Sequence, residues 1–145
     1  MSTSEPPPLP TNRPALVWVI SIFYVVSVGW VALSFALIFS GLIPLTDVQK
    51  AYFQAQTVFD YESTALIGGA NLVGAVLLLL LRRQAFPFFL TAFSFGLIQT
   101  LYQIVTKNWL GAIGGPGLVG AVIGWGISIA IILYTWRLVS KGVLK

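Results

Sequence analysis

The chain predicts an all-α fold, an integral membrane four-helix bundle with four transmembrane helices, and three observations carry that prediction. Of its 145 residues 57% are hydrophobic and 8% charged, against about 25% charged in an average soluble domain. Such a composition cannot cover a water-facing surface. The apolar residues are gathered into four long runs, and about 20 such residues in a helix cross roughly 30 Å of hydrocarbon. Each run is bounded by charge, Pro or Gly, and the Lys and Arg residues fall mostly on one side of the runs.

The first element is the run 15–40, which holds 26 residues and no charge. It is too long for the apolar region of a cleaved signal peptide, which has 7 to about 15 residues, and no A-x-A-like site follows it. It is read as a true span. The loop after it, "PLTDVQKAYFQAQTVFD", contains a helix over about 46–59. Thr46 and Gln49 have the spacing of a capping box. Val48, Ala51, Tyr52, Ala55 and Phe59 fall on one face of that helix, and Asp47, Lys50, Gln54 and Thr57 on the other. The pattern predicts a short amphipathic interfacial helix in the first outer loop, with a lid or docking surface for a partner as the functional alternative. Asp60 and Glu62 follow it and are expected to be exposed surface charge.

The second span is placed at about 64–81, closing with "VLLLLLRR", and the third at about 86–106. The fourth, about 117–136, starts at Pro116 or Gly117 and stops before Arg137; proline suits a first helical turn, where its missing N–H is not needed. The membrane domain is thus 15–139. The Pro-rich polar stretch 1–14 is expected to be a disordered cytoplasmic tail, and 140–145 a basic cytoplasmic tail.

Orientation follows from Lys and Arg, which cytoplasmic segments retain. With the N-terminus inside, Arg13, Arg82, Arg83, Arg137, Lys141 and Lys145 are cytoplasmic, against Lys50 and Lys107 outside. Six to two places both the N-terminus and the C-terminus in the cytoplasm, and a bacterial inner (cytoplasmic) membrane is the expected location. The excess positive charge suits the anionic headgroups of a lipid bilayer and makes a nucleic-acid partner an unneeded explanation.

The stretch "GPGLVG", residues 115–120, matches the G-x-G-x-x-G fingerprint of dinucleotide-binding folds. That motif requires a preceding strand and an acidic residue about 20 residues later. The chain has no Asp or Glu after Glu62. The glycines serve another purpose. Gly117, Gly120, Ala121, Gly124 and Ser128 share one stripe of the fourth span, and small residues at such spacing let helix backbones approach closely in lipid, where hydrophobic force between helices is weak. Gly68 on the second span and Gly96 on the third occupy similar small-residue faces.

Polar residues accompany those faces. Thr64, Gly68, Asn71 and Ala75 line one side of the second span; Ala92, Gly96, Gln99, Gln103 and Thr106 line one side of the third. Asn71, Gln99, Trp30 and Trp125 lie at mid-depth and need partners away from water. Bonded together they would be structural glue; with Gln103 they would alternatively line a narrow polar path.

The chain has no Cys and no His, which removes thiolate, disulfide and imidazole chemistry, and no Ser has a base to activate it. No enzyme activity and no cofactor are expected. Size and helix count bring to mind the small four-helix multidrug exporters, but those use a membrane-embedded glutamate, and no span here holds one. Two functional readings remain. One is a non-catalytic accessory, assembly or structural subunit that packs against another membrane protein or itself. The other is an uncoupled pore or carrier for a neutral small solute.

Overall fold

In a computed structural model, which describes residues 14–144, the chain is all-helical, with five helices and no strand among the described residues. They are α1 (Ala15–Phe39), α2 (Asp47–Gln54), α3 (Val58–Leu79), α4 (Ala85–Lys107) and α5 (Trp109–Ser140). All but α2 are long and apolar enough to cross a membrane. The tail 1–13 lies outside the described residues.

α1 begins after Pro14 and ends at Ser40, close to the expected bounds. α2 starts where the Thr46–Gln49 pair predicts: Gln49 N–H donates to Thr46 Oγ1 at 3.3 Å, and Thr46 N–H donates to Gln49 Oε1 at 3.0 Å. It stops at Gln54, five residues short of the expected end at 59. A second N-terminus intervenes. Asp60 Oδ2 accepts from Thr57 N–H at 2.7 Å and from Thr57 Oγ1–H at 2.6 Å. α3 therefore begins at Val58 rather than at residue 64, and Asp60 belongs to its first turn.

The α3–α4 turn closes with Arg82 N–H donating to Leu77 O at 2.8 Å around Leu81, whose φ of 54° is left-handed. α4 ends at Asn108, also left-handed at φ 49°, a conformation that Asn tolerates better than other non-glycine residues. α5 opens earlier than expected, with a turn over Trp109–Ile113. It is then broken at Gly114, whose φ of 64° and ψ of −174° are essentially closed to any residue with a Cβ. The straight part follows Pro116 and runs past the expected end at 136 to Ser140.

The principal packing runs α1–α3–α4–α5, and α2 lies against α5. At the end where α1 starts and α5 stops, one apolar core joins all four long helices: Val17, Ile20 and Tyr24; Ala75 and Leu78; Ala85 and Phe89; Ile131 and Leu138. Gly74 makes this possible. A Cβ there would stand 3.0 Å from the Phe89 ring, so any larger residue would force that ring to give by a few tenths of an ångström. Gly142, at φ 67°, then turns the chain back so that Leu144 is buried in the same core, and Arg83 Nε–H donates to Leu144 O at 3.2 Å. Within 140–145 Leu144 is packed into the core, and 140–143 are exposed.

Candidate functional site

The opposite end of the bundle is built from polar groups. Asp60 in the first turn of α3 and Lys107 in the last turn of α4 form an ion pair, Lys107 Nζ–H donating to Asp60 Oδ2. The two side chains are only 2% and 5% exposed. The Asp60 charge sits at a helix N-terminus and the Lys107 charge at a helix C-terminus, so each also meets a favourable end of a helix dipole. Lys107 further lies 5.7 Å from the centroid of the Tyr102 ring, within cation–π range.

The cluster continues along both helices. Gln99 Nε2–H donates to Asp60 O and to Thr64 Oγ1, both at 3.1 Å, and Thr64 Oγ1–H donates to Asp60 O at 2.9 Å. Gln103 is buried, and its Oε1 accepts from the Tyr52 hydroxyl of α2 at 2.7 Å. That bond ties α2 over the end of α3 and α4. Burial pushes the Tyr52 phenol above its ordinary value of 10.0; Asp60 and Tyr61 add to the rise, and the neighbouring Gln56 amide opposes it. Aromatic contacts complete the closure, with Phe35 of α1 at 6.3 Å from Phe53 of α2 and 6.1 Å from Tyr61 of α3, ring centre to ring centre.

Between these groups lies a cavity of about 230 Å³, lined by Val31, Phe35, Tyr52, Phe53, Gln56, Asp60, Tyr61, Thr64 and Gln103. No other group of polar side chains in the described residues is drawn together on this scale.

The residues expected to matter are distributed differently. Gln99 and Gln103 are in the cluster, but they bond Asp60, Thr64 and Tyr52 rather than one another. Trp30 is 69% exposed on the outside of α1, so the expected set of Asn71, Gln99, Trp30 and Trp125 is not joined. Trp30 stands on the side of α1 that faces away from the other helices, where hydrocarbon would be, and so cannot reach the amides. Asn71 and Trp125 are half-buried and take no part in the cluster.

Of the small residues, Gly68 stands opposite Val28 and Gly96 opposite Ile67, each at 3.9 Å from where a Cβ would be. At Gly117 a Cβ would meet only Ile113 of its own helix, at 2.7 Å, and at Gly120 and Gly124 it would meet nothing within 4 Å. Ala121 is half-buried; Ser128 donates to Gly124 O at 2.9 Å and lies beside the Tyr24 hydroxyl. Of the stripe only Gly120 is exposed, and Gly117, Ala121, Gly124 and Ser128 are half-buried, with free space beside Gly120 and Gly124.

Sequence reasoning missed Asp60 and Lys107, and placed Asp60 on the surface. The signal was available one turn beyond each span. Gln99, Gln103 and Lys107 recur at four-residue spacing, and Thr57, Asp60 and Thr64 at three and four, so each polar stripe runs on to a charge of opposite sign.

An all-helical bundle with four helices of this length and apolarity is the architecture of a membrane-embedded protein. Comparison with protein families, with curated proteins and with solved structures finds no match.

Proposed function

We propose that the chain is a non-catalytic accessory or assembly subunit of a bacterial inner membrane, with both termini cytoplasmic and α2 lying on the outer surface. The observation that carries the reading is the open face of α5. Between Ala112 and Ile131 that helix has no fully buried residue, its Gly120 is exposed, and a Cβ at Gly120 or Gly124 would meet no atom within 4 Å. Lipid gains little from such a groove, whereas a second helix gains close van der Waals contact.

The pore or carrier reading has less support. Gln99 and Gln103 are engaged by neighbours, and Val17, Leu78 and Phe89, all at most 1% exposed, fill the bundle at the other end.

The test is native mass spectrometry of the tagged protein extracted gently from its own membrane, together with the variant Gly124→Leu. The wild type is expected to carry a stoichiometric companion, either another membrane protein or a second copy. Gly124→Leu is expected to lose it while keeping wild-type helix content, because a Cβ at this position meets no atom of its own chain within 4 Å. A wild type that is monomeric under these conditions, or a variant that assembles normally, would count against the reading.

A further inference from the structure

The end of the bundle where α1 starts and α5 stops carries charge of one sign. Arg82 and Arg83, in the turn between α3 and α4, and Arg137 and Lys141, at the end of α5, are all exposed. The described carboxylates, Asp47, Asp60 and Glu62, belong to the other end, in α2 and the first turns of α3. The ion pairs among the described residues, Lys50 with Asp47 and Lys107 with Asp60, are there as well. Helix dipoles do not balance the four cations. Two helices, α1 and α4, begin at this end and two, α3 and α5, finish there, so their partial charges offset one another. Neither α1 nor α4 has an acidic residue in its first turn, whereas α2 and α3 each have one.

The cations form two pairs. Arg82 and Arg83 are neighbours, and Arg137 and Lys141 are one helical turn apart on one face. A hydrogen bond from Arg83 Nε–H to Leu144 O, at 3.2 Å, fastens one pair beside the other, because Leu144 is itself buried in the core. Lys141 stands three residues before Leu144, at most about 11 Å of chain. A guanidinium has five N–H groups, so Arg83 can hold that carbonyl and an anion together. An apolar surface runs up to the charges. Trp136, next to Arg137, and Trp18, three residues into α1, are both half-exposed. Each lies within about 6 Å of its helix end at 1.5 Å per residue, the level at which Trp side chains meet lipid headgroups.

We propose that this end of the bundle binds one lipid whose headgroup joins two phosphates, of the diphosphatidylglycerol type. One phosphate sits at Arg82 and Arg83, the other at Arg137 and Lys141, and the acyl chains lie on the apolar surface that Trp136 borders. Charge sets the class. A lipid with one phosphate leaves one cation pair without a partner, and a zwitterionic headgroup brings a cation of its own. Basic pockets between membrane helices take headgroups with two phosphates. A free diphosphate shares that charge but has no chains to lay on the apolar surface. The inference depends neither on what packs against the glycine stripe of α5 nor on which side of the membrane this end faces.

The test titrates delipidated full-length protein in neutral detergent micelles with diphosphatidylglycerol, phosphatidylglycerol or phosphatidylcholine and counts bound lipid by native mass spectrometry. The expected result is one diphosphatidylglycerol per chain, at least tenfold tighter than phosphatidylglycerol, with phosphatidylcholine weaker still. Each Lys or Arg beside an anionic headgroup contributes about fivefold in affinity. Arg82→Gln should therefore weaken binding about fivefold, and the double variant Arg137→Gln, Lys141→Gln about thirtyfold, which brings the two-phosphate lipid close to phosphatidylglycerol. Both variants keep the Arg83 bond to Leu144. Lys50→Gln, at the other end, should bind like the wild type, and inorganic pyrophosphate, which has the charge without the chains, should not displace the lipid. Equal affinity for the one-phosphate and two-phosphate lipids, unchanged binding in the double variant, an equal loss in Lys50→Gln, or displacement by pyrophosphate would each overturn the proposal.

Discussion

The two ends of this bundle are closed by different physics. Where the chain starts and finishes, Val17, Leu78, Ala85, Phe89 and Leu144 are all at most 1% exposed and the helices meet through shape alone. At the α2 end α3 and α4 are joined by an ion pair and by two hydrogen bonds from the Gln99 amide, and α2 is tied down through the Tyr52 bond to Gln103. The core of the apolar end is filled by side chains; the polar groups line a partly open cavity of about 230 Å³. Directional bonds hold groups at fixed distances instead of drawing them together until space is gone, so the polar end is the one that can be both rigid and hollow.

The largest effect should come from breaking the ion pair. Lys107→Met leaves the Asp60 carboxylate buried without its counter-charge, and removal of one partner of a buried pair costs about 3–5 kcal/mol. The double variant Asp60→Asn, Lys107→Met has no charge left to strand and should recover most of the loss. Titration of helix content with denaturing detergent in mixed micelles measures both. If the double variant is as unstable as the single one, charge pairing is not what closes this end.

The apolar end should be less sensitive. Phe89 stacks on Tyr24 with ring centres 5.1 Å apart and lies against Gly74. In a soluble core, Phe→Ala costs about 3–5 kcal/mol, but that figure combines a transfer term with a cavity term. Helices that separate within a detergent or lipid phase keep their apolar side chains out of water, so chiefly the cavity term remains. Phe89→Ala is accordingly expected to cost about 2–3 kcal/mol in the same titration. A loss equal to or above that of Lys107→Met would reverse the comparison and make the apolar end the main fastening.

What could be read in the sequence follows the same division. Helix existence was legible because a membrane imposes length and apolarity on each span, and the capping pair Thr46 and Gln49 fixed the start of α2. The close contact of α3 and α4 was not, since nothing distinguishes Gly74 from Gly68 or Gly96 until the Phe89 ring is placed beside it. The site was half legible: Gln99 and Gln103 stood out as amides within apolar spans. Asp60 and Lys107 did not, because a charge at the end of a span reads as its boundary, and only three-dimensional pairing shows that both are inside. The glycine stripe was legible as a groove, but sequence periodicity says which residues share a face and not what that face meets.

The smallest effect should come from the tie between α2 and the cluster. Tyr52→Phe removes the bond to Gln103 Oε1 and leaves that buried acceptor empty, at a cost of about 1 kcal/mol, within the range for single hydrogen bonds in proteins and membranes. The pH dependence separates this from a packing change. Burial raises the Tyr52 phenol above its ordinary value, so the folded chain holds this proton more tightly than the unfolded chain does. The stability contributed by the neutral phenol is therefore fully present below pH about 10 and is lost as pH rises through the raised value. The other tyrosines are the same in both proteins, so the difference between wild type and Tyr52→Phe isolates Tyr52. The wild type should be the more stable at neutral pH, and the two stability curves should converge in alkali. Parallel curves up to the highest pH the micelles tolerate would mean that the hydroxyl carries no proton-linked stability, and that α2 is held by its aromatic contacts with Phe35 and not by Gln103.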